Sequence, residues 1–243
     1  MAFLNLYIQS QTLGMQTHVQ VVIPDWVGLQ KDGKKMKCLY LLHGLGDDET
    51  TWARRTSIER YADRYGVCVV MPRGEKSFYA DGKQQEKYYT YVAKELPTIV
   101  ETLFNVSKNP EDRYIGGNSM GGYGALKIAL TEEGRYAAAF GLSSVANIHN
   151  KTFTDTLKPV FGGKIPDEAD LYKIVDMHKA DKIKPRLYMT IGRDDYMYEE
   201  NIAFQRYMQG KNYDYSFVET EGDHTWNLWD VTVQQALKWM LIE

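Results

Sequence analysis

Arg113-Tyr-Ile-Gly-Gly-Asn-Ser-Met-Gly-Gly-Tyr-Gly124 runs from a short apolar segment, through a serine set between glycines, into a helix-forming stretch. Its centre, Gly117-Asn-Ser119-Met-Gly121, fits a nucleophile elbow, in which the serine takes a strained conformation and hydrogen-sized side chains two residues either side let strand and helix approach closely. Asp112 to Gly117 predicts the strand, and Met120 to Thr131, rich in Ala, Leu, Lys and Met, predicts the helix. Ser119 then sits at the amino end of that helix, where free N–H groups and the dipole favour a developing negative charge. A glycine-rich turn that only caps a helix is the plainer reading of the same residues. A phosphate-binding loop fits less well, because no Gly-Lys-Ser/Thr closes the segment and Gly-x-Gly-x-x-Gly spacing is absent.

Outward from the elbow, strand and helix patterns alternate. Phe3 to Gln11 and Thr17 to Pro24 alternate apolar and polar around a Leu13-Gly14 turn and predict an antiparallel pair. Cys38 to His43 and Val67 to Met71 are nearly continuous apolar runs, as strands buried on both faces are. Ala137 to Ser143, Leu187 to Ile191 and Tyr215 to Glu219 predict further strands. Helices are expected at Ile58–Tyr65, at Tyr91–Phe104 with Pro97 in its first turns, at Asn201–Met208 and at Leu228–Leu241. This order predicts an α/β fold with a mostly parallel sheet covered on both faces. The polar stretch from 144 to 184 is too long for a simple connection and predicts a small cap of short helices on a single domain spanning 1–243.

The chain has 243 residues, 44% hydrophobic and 25% charged, enough for one full core. A net charge of -3 leaves no basic stripe, so neither nucleic acid nor an anionic membrane surface is an expected partner. No apolar run approaches the ~20 residues of a membrane span. Cys38 and Cys68 lie in apolar strand runs and predict buried free thiols. The opening Met1–Gln9 alternates like a strand, with no basic region followed by an apolar run, so the expectation is a reducing, cytoplasmic setting.

A serine is a poor nucleophile without a base in hydrogen-bond reach and a third group to orient that base. Of five histidines, His18 falls inside a strand, and His149 and His178 fall in the predicted cap. His224, in Glu221-Gly-Asp-His224-Thr-Trp, follows the last strand, where functional groups of α/β sheets gather. His43 also ends a strand, but His43-Gly44-Leu45-Gly46 reads better as a loop that aims N–H groups at the space above Ser119, with His43 as its structural brace. Gly192-Arg-Asp194-Asp195 ends another strand and offers two carboxylates, Asp195 preferred and Asp194 the alternative, although either could cap the following helix. Serine, acid, histidine is the chain order of α/β-hydrolases. No His-x-x-x-His or Cys-x-x-Cys spacing suggests a metal, and no cofactor is expected.

Taken together, His43-Gly-Leu-Gly, the Trp52 region, Glu95-Leu-Pro, Gly-Asn-Ser119-Met-Gly-Gly, Gly-Arg-Asp-Asp195-Tyr-Met-Tyr and Asp-His224-Thr-Trp resemble the α/β-hydrolase esterases of the esterase D and tributyrin esterase type, related to feruloyl and acetyl-xylan esterases. The resemblance spans nearly the whole chain. It implies Ser119 as nucleophile, His224 as base, Asp195 as acid and the N–H groups of Leu45 and Met120 as oxyanion donors. It implies a serine carboxylesterase, and the short cap narrows the expected substrates to short-chain acyl or hydroxycinnamoyl esters, the latter of plant cell-wall origin; Trp226, two residues after His224, and Gly44 are the expected substrate contacts. The S-formylglutathione hydrolase branch carries a cysteine after its oxyanion-loop Gly-Leu, and this chain has Gly46 there. A carbohydrate-ester deacetylase, acyl transfer to another alcohol, a non-catalytic binding module and a homo-oligomer remain open alternatives. Tyr79, Tyr88, Tyr89, Trp26 and Trp52 could join Trp226 in an aromatic acyl pocket or pack in the core.

Overall fold

The computed structural model describes residues 1–25, 33–83 and 86–242. It is an eight-stranded sheet in the order β1-β2-β4-β3-β5-β6-β7-β8. β1 (Ala2–Ser10) and β2 (Met15–Ile23) form the antiparallel opening pair, with Ser10 opposite Met15 across a tight turn. β2 continues antiparallel onto β4 (Val67–Pro72). From there β3 (Lys37–Leu42), β5 (Arg113–Asn118), β6 (Ala138–Leu142), β7 (Arg186–Gly192) and β8 (Tyr215–Thr220) all run parallel to β4. Their carboxyl ends therefore share one edge of the sheet. This is the α/β-hydrolase fold.

The continuous apolar runs of the central strands follow from burial on both faces. Along β3, Cys38, Tyr40 and Leu42 enter one core while Leu39 and Leu41 enter the other. The second core lies against α1 (Thr51–Arg55), α2 (Ile58–Tyr65) and the closing α8 (Trp226–Leu241), which contribute Trp52, Ile58 and Val233 among others. The first is covered by α3 (Leu96–Leu103), α4 (Met120–Thr131) and α7 (Tyr198–Met208). The helix expected from Tyr91 enters α3 through a short helical lead (Tyr88–Thr90) and a π-helical turn (Tyr91–Glu95). Pro97 is the second residue of α3, directly after the π-helical turn, where the change of hydrogen-bond register accommodates its missing N–H. The last helix begins at Trp226, two residues before the expected Leu228. Asp112 belongs to a 3-10 turn, and the strand starts at Arg113.

Between β6 and β7 the chain forms short helical pieces, 3-10 turns at Lys151–Phe153 and Asp167–Ala169 and the helices α5 (Thr154–Phe161) and α6 (Leu171–Met177). Leu157, Val160, Ile174 and Val175 pack it onto the first core. The buried Tyr123 hydroxyl of α4 donates to the Ala169 carbonyl at 2.6 Å. No helix among the described residues is long and apolar enough to cross a membrane. Cys38 and Cys68 are buried and free.

Candidate active site

Ser119 joins β5 to α4 with φ 52° and ψ −118°, a conformation that costs a non-glycine residue on the order of 1–3 kcal/mol. Three backbone bonds hold it. Ser119 N–H donates to Leu142 C=O at 2.8 Å, and its carbonyl accepts from Tyr123 N–H at 3.0 Å and Val145 N–H at 3.3 Å. The flanking glycines have a steric reason: a Cβ at Gly117 or at Gly121 would run into the Leu42 carbonyl of β3. The strain and the close approach together present the Ser119 hydroxyl at the carboxyl edge of the sheet.

His224 lies in the loop between β8 and α8, with Nε2 at 3.1 Å from Ser119 Oγ. Its Nδ1 is 2.8 Å from Asp195 Oδ2. The Asp195 side chain is fully buried in the turn after β7, and its Oδ1 accepts from Met197 N–H at 2.9 Å. Asp194 points to solvent, while its backbone N–H ties the turn to the Gly222 carbonyl at 3.0 Å. Of the two carboxylates left open by the sequence, Asp195 is the one in contact with the imidazole. The His224 ring is clamped between Tyr196 and Trp229, with centroids at 4.7 and 4.8 Å.

His43 is 1% exposed, and both ring nitrogens end on backbone. Gly74 N–H donates to Nε2 at 2.9 Å, which makes Nε2 the bare nitrogen and leaves Nδ1–H to donate to the Gly44 carbonyl at 2.8 Å. Burial pushes the imidazole pKa below its ordinary value, so the ring is held neutral. The brace expected for this histidine is what it forms. His18 meets Glu49 at 3.3 Å, His149 meets Asp170 at 3.0 Å and His178 meets Asp181 at 2.8 Å, all away from Ser119.

A cavity of about 280 Å³ opens over Ser119 and His224. Gly44, Leu45 and Trp226, expected there, line it. Met120, the other expected oxyanion donor, is buried as the first residue of α4, where its N–H has no acceptor within the helix. Asp47, Asn118, Phe153, Tyr196 and Trp229 also line the cavity and were not singled out from the sequence. Four had a signal: Asn118 directly precedes Ser119, Asp47 directly follows the His43–Gly46 loop, Tyr196 directly follows Asp195, and Trp229 sits one helical turn after Trp226. Phe153 comes from the insertion and had none. Burial pushes the Asp47 carboxyl above its usual range.

The other aromatic residues considered for this pocket are elsewhere. Trp52 stands behind Trp226, edge to face at 4.9 Å, and donates its indole N–H to Leu42 C=O at 3.0 Å. Tyr79 and Tyr88 are core residues, and Tyr89 faces a different cavity. Trp26 lies outside the described residues.

Residues 10–240 match the family model described as putative esterase. An acetyl esterase of Caldicellulosiruptor saccharolyticus is 30% identical, over 99% of this chain and 98% of its own. Among solved structures, substrate-bound FphF, a fluorophosphonate-binding serine hydrolase of Staphylococcus aureus, superposes with a TM-score of 0.92 at 36% identity, covering 100% of this chain and 99% of its own. The S-formylglutathione hydrolase FrmB of the same organism gives 0.89 at 35% identity, covering 99% and 98%. The chain belongs to this esterase family and is a carboxylic ester hydrolase.

Proposed function

We propose that this esterase cleaves short-chain acyl or hydroxycinnamoyl esters through an acyl-serine formed on Ser119. One observation carries the reading: the unbroken row from Ser119 Oγ through His224 to the buried Asp195 carboxylate. Ser119 Oγ attacks the ester carbonyl as His224 Nε2 takes its proton. Asp195 fixes the Nδ1–H tautomer and offsets the imidazolium charge. The Leu45 and Met120 N–H groups receive the negative charge that develops on the carbonyl oxygen. His224 then hands its proton to the leaving alcohol, and water attacks the acyl-serine by the same path, releasing the acid and restoring the hydroxyl.

Substrate size follows from the walls. A cavity of about 280 Å³ bounded by Trp226, Trp229, Tyr196 and Phe153 suits a small acyl group or a flat aromatic one, not a long alkyl chain. The insertion acts as a small cap on one domain and contributes Phe153 to this wall. At Gly44 a Cβ would press on Asn118 Nδ2 at 3.0 Å and Asp47 Oδ2 at 3.2 Å, two residues of the cavity wall. The enzyme is a cytoplasmic one, a setting that suits its two buried free thiols. Its partners are small esters, of plant cell-wall origin in the hydroxycinnamoyl case, and copies of itself; nucleic acid and membranes are not among them.

Turnover of p-nitrophenyl acetate and butyrate beside Ser119→Ala tests the chemistry. A loss of about 10³-fold or more is expected, and equal rates would overturn it. Methyl ferulate, triacetin, trioctanoin and S-formylglutathione then test the acyl class. A preference for trioctanoin would refute the small pocket, and efficient S-formylglutathione cleavage would shift the reading to a thioester despite Gly46.

A further inference from the structure

A second cavity, of about 360 Å³, lies between the insertion and the far half of α4. It shares no lining residue with the space over Ser119. Its walls are Tyr89, Phe161, Ala80 and Ala169, and its volume falls within the range of small-molecule sites. Two polar groups reach it from one face of α4, Lys127 and Thr131, at i and i+4.

Lys127 is 2% exposed and, among the described residues, has no carboxylate in ion-pair contact. Its Nζ donates to Phe78 C=O at 3.0 Å and lies 4.9 and 5.6 Å from the ring centroids of Tyr123 and Tyr89. The bond to Phe78 is a structural one, since Phe78 and Tyr79 both have positive φ. It uses one of the amine's hydrogens and leaves the rest without an acceptor. Burial lowers the Lys127 pKa to about 7, and Asp81 opposes that only in part. Thr131 Oγ1 is buried without a hydrogen bond, and the neighbouring Tyr89 hydroxyl is spent on Glu132 Oε1 at 2.6 Å. A buried amine and a buried hydroxyl, both short of partners and one helical turn apart, are an unfilled binding set rather than a finished core.

The rim carries Asp81, Lys83 and Glu168, all exposed. Asp81 is engaged by Thr90, accepting from its N–H at 2.9 Å and its hydroxyl at 2.6 Å. The two rim carboxylates repel a second negative charge on a ligand, while the apolar walls favour an alkyl or aryl body. We propose that this cavity is a binding site for an apolar monocarboxylic acid, whose carboxylate accepts from Lys127 Nζ and Thr131 Oγ1 and whose body lies against Tyr89, Phe161 and Ala169. The site stands independently of the chemistry at Ser119.

Octanoate is the probe, with octan-1-ol and the dicarboxylate suberate as controls, followed by isothermal titration calorimetry in buffers of different ionisation enthalpy. Octanoate is expected to bind at least about tenfold more tightly than either control, because only it gives the amine one charge to pair with and the rim none to repel. With Lys127 near neutral at pH 8, binding takes up close to one proton, and at pH 6 little. Lys127→Met is expected to weaken octanoate about tenfold or more and abolish the proton uptake. Thr131→Leu, which narrows the cavity and leaves the Lys127–Phe78 bond in place, tests the site even if the lysine variant does not fold. Tyr196→Ala, at the rim of the other cavity, should leave octanoate affinity unchanged. Full affinity in Thr131→Leu, or affinity that follows Tyr196, would overturn the proposal.

Discussion

Two loops leave the sheet at its carboxyl edge with a histidine close to the strand end, His43 directly after β3 and His224 after β8, and the two rings do opposite things. His43 is nearly sealed, and its nitrogens meet a Gly74 N–H and a Gly44 carbonyl, groups that neither titrate nor react. The His224 side chain is 16% exposed, and its nitrogens meet a carboxylate and a hydroxyl. Position at a strand end is therefore shared by a brace and a proposed base. What separates them is the chemistry of the two groups at the ends of the ring. A base needs a proton source on one side and a charge to balance its cation on the other, and backbone amides provide neither.

The widest gap between the two loops is expected in turnover. His224→Ala, measured on p-nitrophenyl butyrate, should lose about 10⁴–10⁶-fold in kcat with little change in stability. Asp195→Asn should lose about 10⁴-fold, because the amide can hold the ring in the wrong tautomer. Asp194→Asn, on the exposed neighbour, should stay within a few-fold of the native rate. If both asparagine variants lost activity equally, the acid would not be set by burial and contact as the geometry has it.

His43 should invert that pattern, with its effect chiefly on folding. His43→Phe removes an acceptor from Gly74 N–H and a donor from Gly44 C=O, in a region where water does not reach either group. Gly44 C=O keeps its bond from Asp47 N–H at 3.2 Å, so one buried donor is stranded, at a cost of about 1–3 kcal/mol. Urea denaturation should show that loss, while kcat per folded molecule falls far less than in His224→Ala. A His43→Phe variant of native stability with kcat reduced 10⁴-fold would mean that the two loops had been assigned the wrong way round.

The contrast also marks what the sequence could and could not disclose. The elbow was legible because its constraint is backbone sterics: glycines at 117 and 121 are needed wherever β3 and α4 come this close, so a five-residue pattern carries the geometry. The alternation of apolar runs gave the strands for the same kind of reason, since burial on both faces leaves little choice of residue. Choosing between His43 and His224 rested on loop context alone, because the deciding facts, Gly74 N–H on one ring and Asp195 on the other, join residues 31 and 29 positions apart. Phe153 in the site and the Lys127 cavity were out of reach altogether. Both depend on how the segment between β6 and β7 packs across α4, and its short helices, Thr154–Phe161 and Leu171–Met177, have no periodicity long enough to announce which face turns inward.

The smallest expected effect is the pH dependence of the stability that His43 confers. Burial lowers the His43 pKa in the folded chain, and the Gly44 carbonyl with the charges of Asp48, Glu49 and Glu75 offsets only part of that. In the unfolded chain the ring returns to about 6.5. Between the two values the unfolded state holds more protons, so the His43 contribution to stability is complete above about pH 6.5 and is lost as pH falls through the lowered folded value. Urea midpoints at pH 7.5 and pH 5.5 should therefore fall further for the native chain than for His43→Gln, which cannot titrate. Equal stability slopes in the two proteins would mean that His43 is not held neutral by burial, and the distinction between the two loops would then rest on turnover alone.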